Sequence, residues 1–260
     1  MLTLIGAPFD GASSFLRGPA QAPDVIRAAM ASPSSNLFSE NLTDLAQPGL
    51  YRDAGNIELG ADPRASIEAA VSAILANGDT PLVLGGDHSV TYPVVRAVSQ
   101  RHAPLTILHF DAHNDLYDHF EGDRWSHACP FARIMEEGRC AQLIQAGIRG
   151  MNTHQRAQAD RFGVDVVDMR RFAAGDRWTL KHPVYLSIDV DVLDPAFAPG
   201  VSHREGGGLT VRELITAIQQ IDAPIVGADL VEYNPLRDID DLTHAALGKI
   251  LKELLARMLS

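Results

Sequence analysis

The sequence predicts an α/β fold: a single domain over residues 1–260 in which a mostly parallel sheet lies between two layers of helices, a three-layer α/β/α arrangement. Three observations predict it. Apolar runs of strand length alternate along the chain with segments of helical period. Those runs are apolar almost throughout rather than at every second residue, as strands covered on both faces are. Acids and histidines gather just after the runs, which is where open parallel sheets bind their ligands.

The elements follow in order. "LTLIGAP" near the start is a strand, and "APDVIRAAM" after it a helix. The clearest helix spans 62–77: Asp62 can cap it, Pro63 suits its first turn, Ile67, Ala70, Val71, Ile74 and Leu75 form one stripe, and "NG" at 77 and 78 ends it. "PLVLGG" is a strand followed by the helical "SVTYPVVRAVSQ". "PLTILHF", "AQLIQAGI", "GVDVVDM", "PVYLSIDV" and "PIVGADLV" are further strands. A helix starts near Thr210, three residues before Glu213 as in a capping box, and a last one, roughly 239–258, carries Leu242, Ala246, Ile250, Leu254 and Leu255 on a broad apolar face. Pro and Gly collect in the loops "RGPAQAP", "DPAFAPG" and "EGGGL". The glycines of the last lack the spacing and the preceding strand of a dinucleotide fingerprint, so that stretch reads as a flexible loop near a site.

Composition narrows the function. With 46% hydrophobic residues in 260, the chain can bury a large undivided core. A formal net charge of -11 without any cluster of Lys and Arg disfavours a nucleic-acid or anionic-membrane surface. No apolar stretch is long enough to span a bilayer, and "MLTLIGAPFDGASS" lacks the form of a signal peptide, which leads to the expectation of a cytoplasmic protein. Cys129 and Cys140 alone make neither a disulfide framework nor a cysteine-rich zinc site.

The polar residues at strand ends need another explanation than solvation, because burying an unpaired carboxylate is costly. Asp87 and His88 follow one run; Asp111, His113 and Asp115 another; Asp189, Asp191 and Asp194 a third; Glu232 a fourth. If these strands are parallel neighbours, the groups converge. Residues two apart on an extended chain point the same way, roughly 6.5 Å apart, so Asp111 with His113, and Asp189 with Asp191, can each grip one compact object. His88, Asp111, His113, Asp115, Asp189 and Asp191 offer more ligands than one tetrahedral zinc accepts, and two ions suit them better. Carboxylates with some imidazole and no thiolate favour Mn²⁺. His109, inside its strand, is taken as a packed histidine supporting the site.

"GGDHS", "DAHND", "SIDVDVLDPAFAPG" and "GADLVEYNP" occur in this order, and the chain that carries them resembles the ureohydrolase family of arginases, agmatinases and relatives along nearly its whole length. The resemblance implies an arginase-like fold, two Mn²⁺ ions per subunit, a small guanidino substrate and a homo-oligomer, trimer or hexamer, with no nucleic-acid or membrane partner. It implies hydrolysis to urea and a primary amine by a metal-bridging hydroxide: ornithine from L-arginine, or putrescine from agmatine. By likeness, one metal falls to His88, Asp111, Asp115 and Asp189, and the other to Asp111, His113, Asp189 and Asp191. His127 matches the family's proton-handling histidine and Glu232 the acid that receives the guanidinium group; with Asp115 they make the expected catalytic set.

"PGVSHREGGGLT" and "FEGDRWSHACPFARIMEEG" are similar to the plant-type arginases. The loop 201–208 is therefore the candidate specificity region, with Ser202, His203 and Arg204, joined by Asn114 and Tyr117, as candidate substrate-binding residues. An inward Arg204 favours L-arginine or another guanidino acid, and an outward one favours agmatine. Guanidinobutyrate or formiminoglutamate hydrolysis, deacetylation by a related zinc enzyme, and a noncatalytic metal-binding homologue are the competing functions.

Overall fold

The computed structural model describes residues 1–260. Eight strands alternate with helices along the chain: β1 (Leu2–Ala7), β2 (Tyr51–Asn56), β3 (Thr80–Gly85), β4 (Thr106–Phe110), β5 (Gln142–Ala146), β6 (Asp165–Val167), β7 (Val184–Asp189) and β8 (Ile225–Val231). They form one sheet in the order β2-β1-β3-β8-β7-β4-β5-β6, and every pair is parallel, not merely most of them. β2 is an exposed edge strand. Its "YRDAGN" has no apolar run, so local pattern could not announce it.

Two helical layers cover the sheet, as alternation along each strand requires. Leu82, Leu108 and Leu186 pack in one core with Ile26 of α1 (Ala22–Met30), Leu214 of α7 (Val211–Gln219) and Leu251 of α8 (Leu242–Leu259). Their strand neighbours Val83, Ile107 and Tyr185 pack in the other with Ile67 of α2 (Pro63–Ala76), Val94 of α3 (Thr91–Arg101) and Phe131 of α4 (Pro130–Glu136). α5 (Thr153–Phe162) and α6 (Met169–Ala173) complete the chain's helices. Asp62 caps α2 through Arg64 N and Ala65 N, and Thr210 with Glu213 makes the capping box of α7. The last helix begins later than its apolar pattern indicates: Asp240 and Asp241 are left-handed (φ 47° and 58°), which no helical turn accommodates.

The strand order positions the site. β7 and β8 insert between β3 and β4, so the four strands that end in acids and histidines are central neighbours. Register aligns Phe110 with Ile188 and Asp189 with Val231, which brings Asp111, Asp189 and Glu232 to one end of the sheet, beside His88. This is the carboxyl-end crevice of an open parallel sheet.

Candidate metal centre and active site

His88 follows β3 across Gly86 and Asp87. Gly86 is required: a Cβ there would lie 1.8 Å from the Phe9 carbonyl oxygen, which accepts the Asp87 N–H at 2.8 Å. The turn seats His88 with both ring nitrogens buried. Nε2 pairs with Ser187 Oγ at 3.1 Å, whose hydroxyl donates to Asp229 at 2.7 Å, and Thr91 and Tyr185 donate to the same carboxylate. Nδ1 is left at 3.2 Å from Asp111 Oδ2, 3.1 Å from Asp115 Oδ2 and 3.1 Å from Asp189 Oδ2, with hydrogen-bond geometry to none.

A second cluster adjoins it. His113 Nδ1 lies 3.0 Å from Asp191 Oδ2 and 3.5 Å from Asp111 Oδ1. Asp111 therefore presents one oxygen to each cluster. Asp189 faces His88 with Oδ2, while its Oδ1 accepts the Asp191 N–H at 2.8 Å. His109 also comes within reach of His88 and Asp111, but its nitrogens are already used: Nε2 at Asp111 Oδ2, 2.8 Å, and Nδ1 at Gln145 Nε2, 3.1 Å. The Gln145 amide is oriented by the Asn114 carbonyl, which can only accept its N–H (2.6 Å), so His109 Nδ1 is an acceptor and Nε2–H donates. Burial lowers the pKa of His109, in keeping with a neutral support for Asp111.

Four carboxylates with almost no exposure share this space. Burial, then the Asp191 and Asp111 charges, push Asp189 well above the usual carboxylate range, and burial likewise raises Asp191. The His88 imidazole lacks a hydrogen-bond partner on Nδ1 and points it at three carboxylate oxygens. These residues fit divalent metal ions, which supply positive charge to carboxylates that no Lys or Arg reaches.

The acid–base pair stands beside them. His127 Nδ1 is 2.7 Å from Glu232 Oε1, which also accepts the His88 backbone N–H at 2.8 Å. Burial disfavours charge on His127, but the Glu232 carboxylate outweighs it and holds the ring up to about 9. Burial acts upward on Glu232, and His127 overrides it downward. Glu232 and Asp115 both adopt left-handed backbone (φ 65° and 48°), a strained conformation for residues with side chains and one that clusters at functional sites.

A pocket of about 150 Å³ opens onto this pair, with His113, Asp115, Tyr117, His127 and His203 in its wall. Three candidate substrate residues lie elsewhere. Arg204 donates from Nε to Pro199 O and from Nη2 to Arg237 O, both at 2.8 Å, so its guanidinium is occupied by backbone carbonyls. Ser202 bonds Leu16 O and Asn234 within the loop packing, and Asn114 is buried against Gln145. No Arg or Lys lines the pocket. Asp194 ties the loop through Ala196, Gly207 and Gly208 N–H groups.

Other residues at the site were not legible in its motifs. Ser14 reaches His127 from the loop after β1. Arg149 donates to the carbonyls of Asp191, Val192, Leu193 and Glu205. A lone Arg just past a strand end, beside acidic loops, was the signal available for it.

The arginase family model matches residues 1–256. Arginase 1, mitochondrial, of Arabidopsis thaliana is 45% identical over 98% of this chain and 80% of its own length, and the agmatinase of Bacillus anthracis is 34% identical over 98% and 90%. The solved arginase from Medicago truncatula superposes with a TM-score of 0.93 at 42% identity, over 98% of this chain and 86% of that one. The cytoplasmic expectation is corrected by such relatives, which include mitochondrial and chloroplastic/mitochondrial arginases by name. The lack of a bilayer-spanning stretch and of signal-peptide form does not specify a compartment. The chain belongs to the arginase family and is a ureohydrolase of the arginase/agmatinase type.

Proposed function

We propose that residues 1–260 form one ureohydrolase domain that holds two Mn²⁺ ions and hydrolyses L-arginine to urea and ornithine. The observation that carries the site is His88 Nδ1, unbonded among the carboxylates of Asp111, Asp115 and Asp189, with Asp111 also facing His113 and Asp191. The carboxylate-rich donor set supports Mn²⁺ over softer metals. The likeness to plant arginases, 45% against 34% for an agmatinase, supports L-arginine.

His88, Asp111, Asp115 and Asp189 hold one ion, and Asp111, His113, Asp189 and Asp191 the other. Bound there, the ions supply Lewis-acid activation of water. Guanidinium is resonance-stabilised and a poor electrophile, so the chain's own groups must orient it and manage its protons. Glu232, with Oε1 shared between His88 N–H and His127, offers Oε2 to a guanidinium N–H. His127 provides the proton that the leaving amine needs. Tyr117 and His203, in the pocket wall, contact the substrate tail. The family's trimeric or hexameric assembly belongs to this reading.

Agmatine is the second reading, favoured by a pocket without an Arg or Lys side chain to meet an α-carboxylate. Urea release by Mn²⁺-loaded protein from L-arginine and agmatine in parallel tests both. Faster turnover of L-arginine is expected, preference for agmatine selects the second reading, and no urea from either refutes the two together.

A further inference from the structure

We propose that Ser14 is a further catalytic residue, whose hydroxyl carries the proton from His127 to the departing amine nitrogen. This rests on the ureohydrolase reading above. Ser14 Oγ lies 2.8 Å from His127 Nε2, and both residues are in the pocket wall. The opposite ring nitrogen is fixed at Glu232 Oε1, 2.7 Å away, so Nε2 is the only ring nitrogen free to exchange a proton toward substrate. Ser14 stands at that nitrogen. A hydroxyl accepts and donates at once, which is the requirement for a relay. The Ser14 backbone N–H, 3.2 Å from Nε2, can only donate, and so favours the ring once it has given its proton up.

The loop presenting Ser14 is strapped down. Asp87 Oδ2 accepts from Ala12 N at 2.9 Å and Ser13 Oγ at 3.3 Å, and the His127 N–H donates to Ala12 O at 3.1 Å. The buried Asp87, which the hydrolysis scheme does not otherwise use, thereby holds Ser14 and His127 in one frame. In the step, the C–N bond to the amine breaks and its electron pair stays on nitrogen. That nitrogen takes the Ser14 hydrogen, Ser14 Oγ takes the Nε2 hydrogen of the imidazolium, and His127 ends neutral while Ser14 is unchanged. The carbon, already bonded to the oxygen of the attacking water, closes its C=O bond with a lone pair of that deprotonated oxygen and is released as urea.

The test compares Mn²⁺-loaded wild type, Ser14→Ala and Ser14→Thr on L-arginine and on an oxyguanidino analogue, whose leaving alkoxyamine is far less basic and needs a proton less. Ser14→Ala is expected to lower kcat on L-arginine by about 100-fold, at the lower end of what general acid–base groups contribute. KM, bound Mn²⁺ and melting temperature stay near wild type, the loss shrinks several-fold on the analogue, and Ser14→Thr restores most of the rate. A Ser14→Ala kcat on L-arginine within about threefold of wild type, against the roughly 100-fold loss expected for a proton-transfer group, overturns the proposal, as does an equal loss on both substrates. Wild-type protein that releases no urea overturns the ureohydrolase reading itself, and this step with it.

Discussion

Arg149→Lys is expected to loosen the metal loop without touching a ligand. The Arg149 guanidinium donates at 2.7 Å to Asp191 O and at 2.7 Å to Glu205 O, with longer bonds to Val192 O at 3.2 Å and to Leu193 O at 3.3 Å. It thus joins the Asp191 ligand loop to the 201–208 loop. A planar fork reaches carbonyls on both sides, whereas an ammonium bonds from one point. Lysine can satisfy one of the two loops, so roughly two bonds from a charged donor are lost. At about 1.5 kcal/mol each, the lower end for bonds to charged groups, this is roughly 3 kcal/mol. For a chain of this size, at about 2–4 °C per kcal/mol, melting falls by roughly 6–12 °C. Thermal denaturation with and without Mn²⁺ reads the stability, and titration calorimetry reads the metal affinity, which falls because Asp191 is no longer held. A melting temperature within about 2 °C of wild type, set against that per-kcal/mol scale, together with unchanged Mn²⁺ affinity, refutes the reasoning.

Two further outcomes follow from the site. Asp111→Asn keeps the shape of a carboxylate that faces both clusters, His88 with Oδ2 and His113 with Oδ1, but removes its charge; bound Mn²⁺ is expected to fall below two per chain and urea release to drop to background, and an unaltered metal content contradicts this. In metal-free protein, His127 is held up to about 9 against an ordinary 6.5, so its pairing with Glu232 stabilises fully below pH 6.5 and is lost as pH rises through 9. At 1.36 kcal/mol per unit this is roughly 3 kcal/mol. Glu232, with a lowered pKa, adds stability that is lost only as pH falls through its own range. The melting difference between wild type and Glu232→Gln should therefore narrow from pH 6.5 to 9, and a constant difference across that window rules the pairing out as its source.

What the sequence determined by itself is whatever repeats locally along the chain. Continuous apolar runs report burial on both faces, which is why seven of the eight strands were legible and why the parallel sheet followed. Asp62 with Pro63, and Thr210 with Glu213, marked helix starts because caps act over three residues. The six proposed ligands stood out because acids after apolar runs are unusual unless something positive meets them. The exposed edge strand β2 escaped, since a strand without a buried face has no apolar signature.

Tertiary structure decided the pairings across distance. Ser14 and His127 are 113 positions apart, and Arg149 and Glu205 are 56 apart; no local pattern carries such contacts, because they depend on which strands become neighbours. The same holds for Arg204, whose direction its motif leaves open and which spends its guanidinium on the Pro199 and Arg237 carbonyls. A sequence records which groups are present and what their own segment buries. Where a long side chain ends is set by the free acceptors around it, and those exist only once the sheet has been assembled.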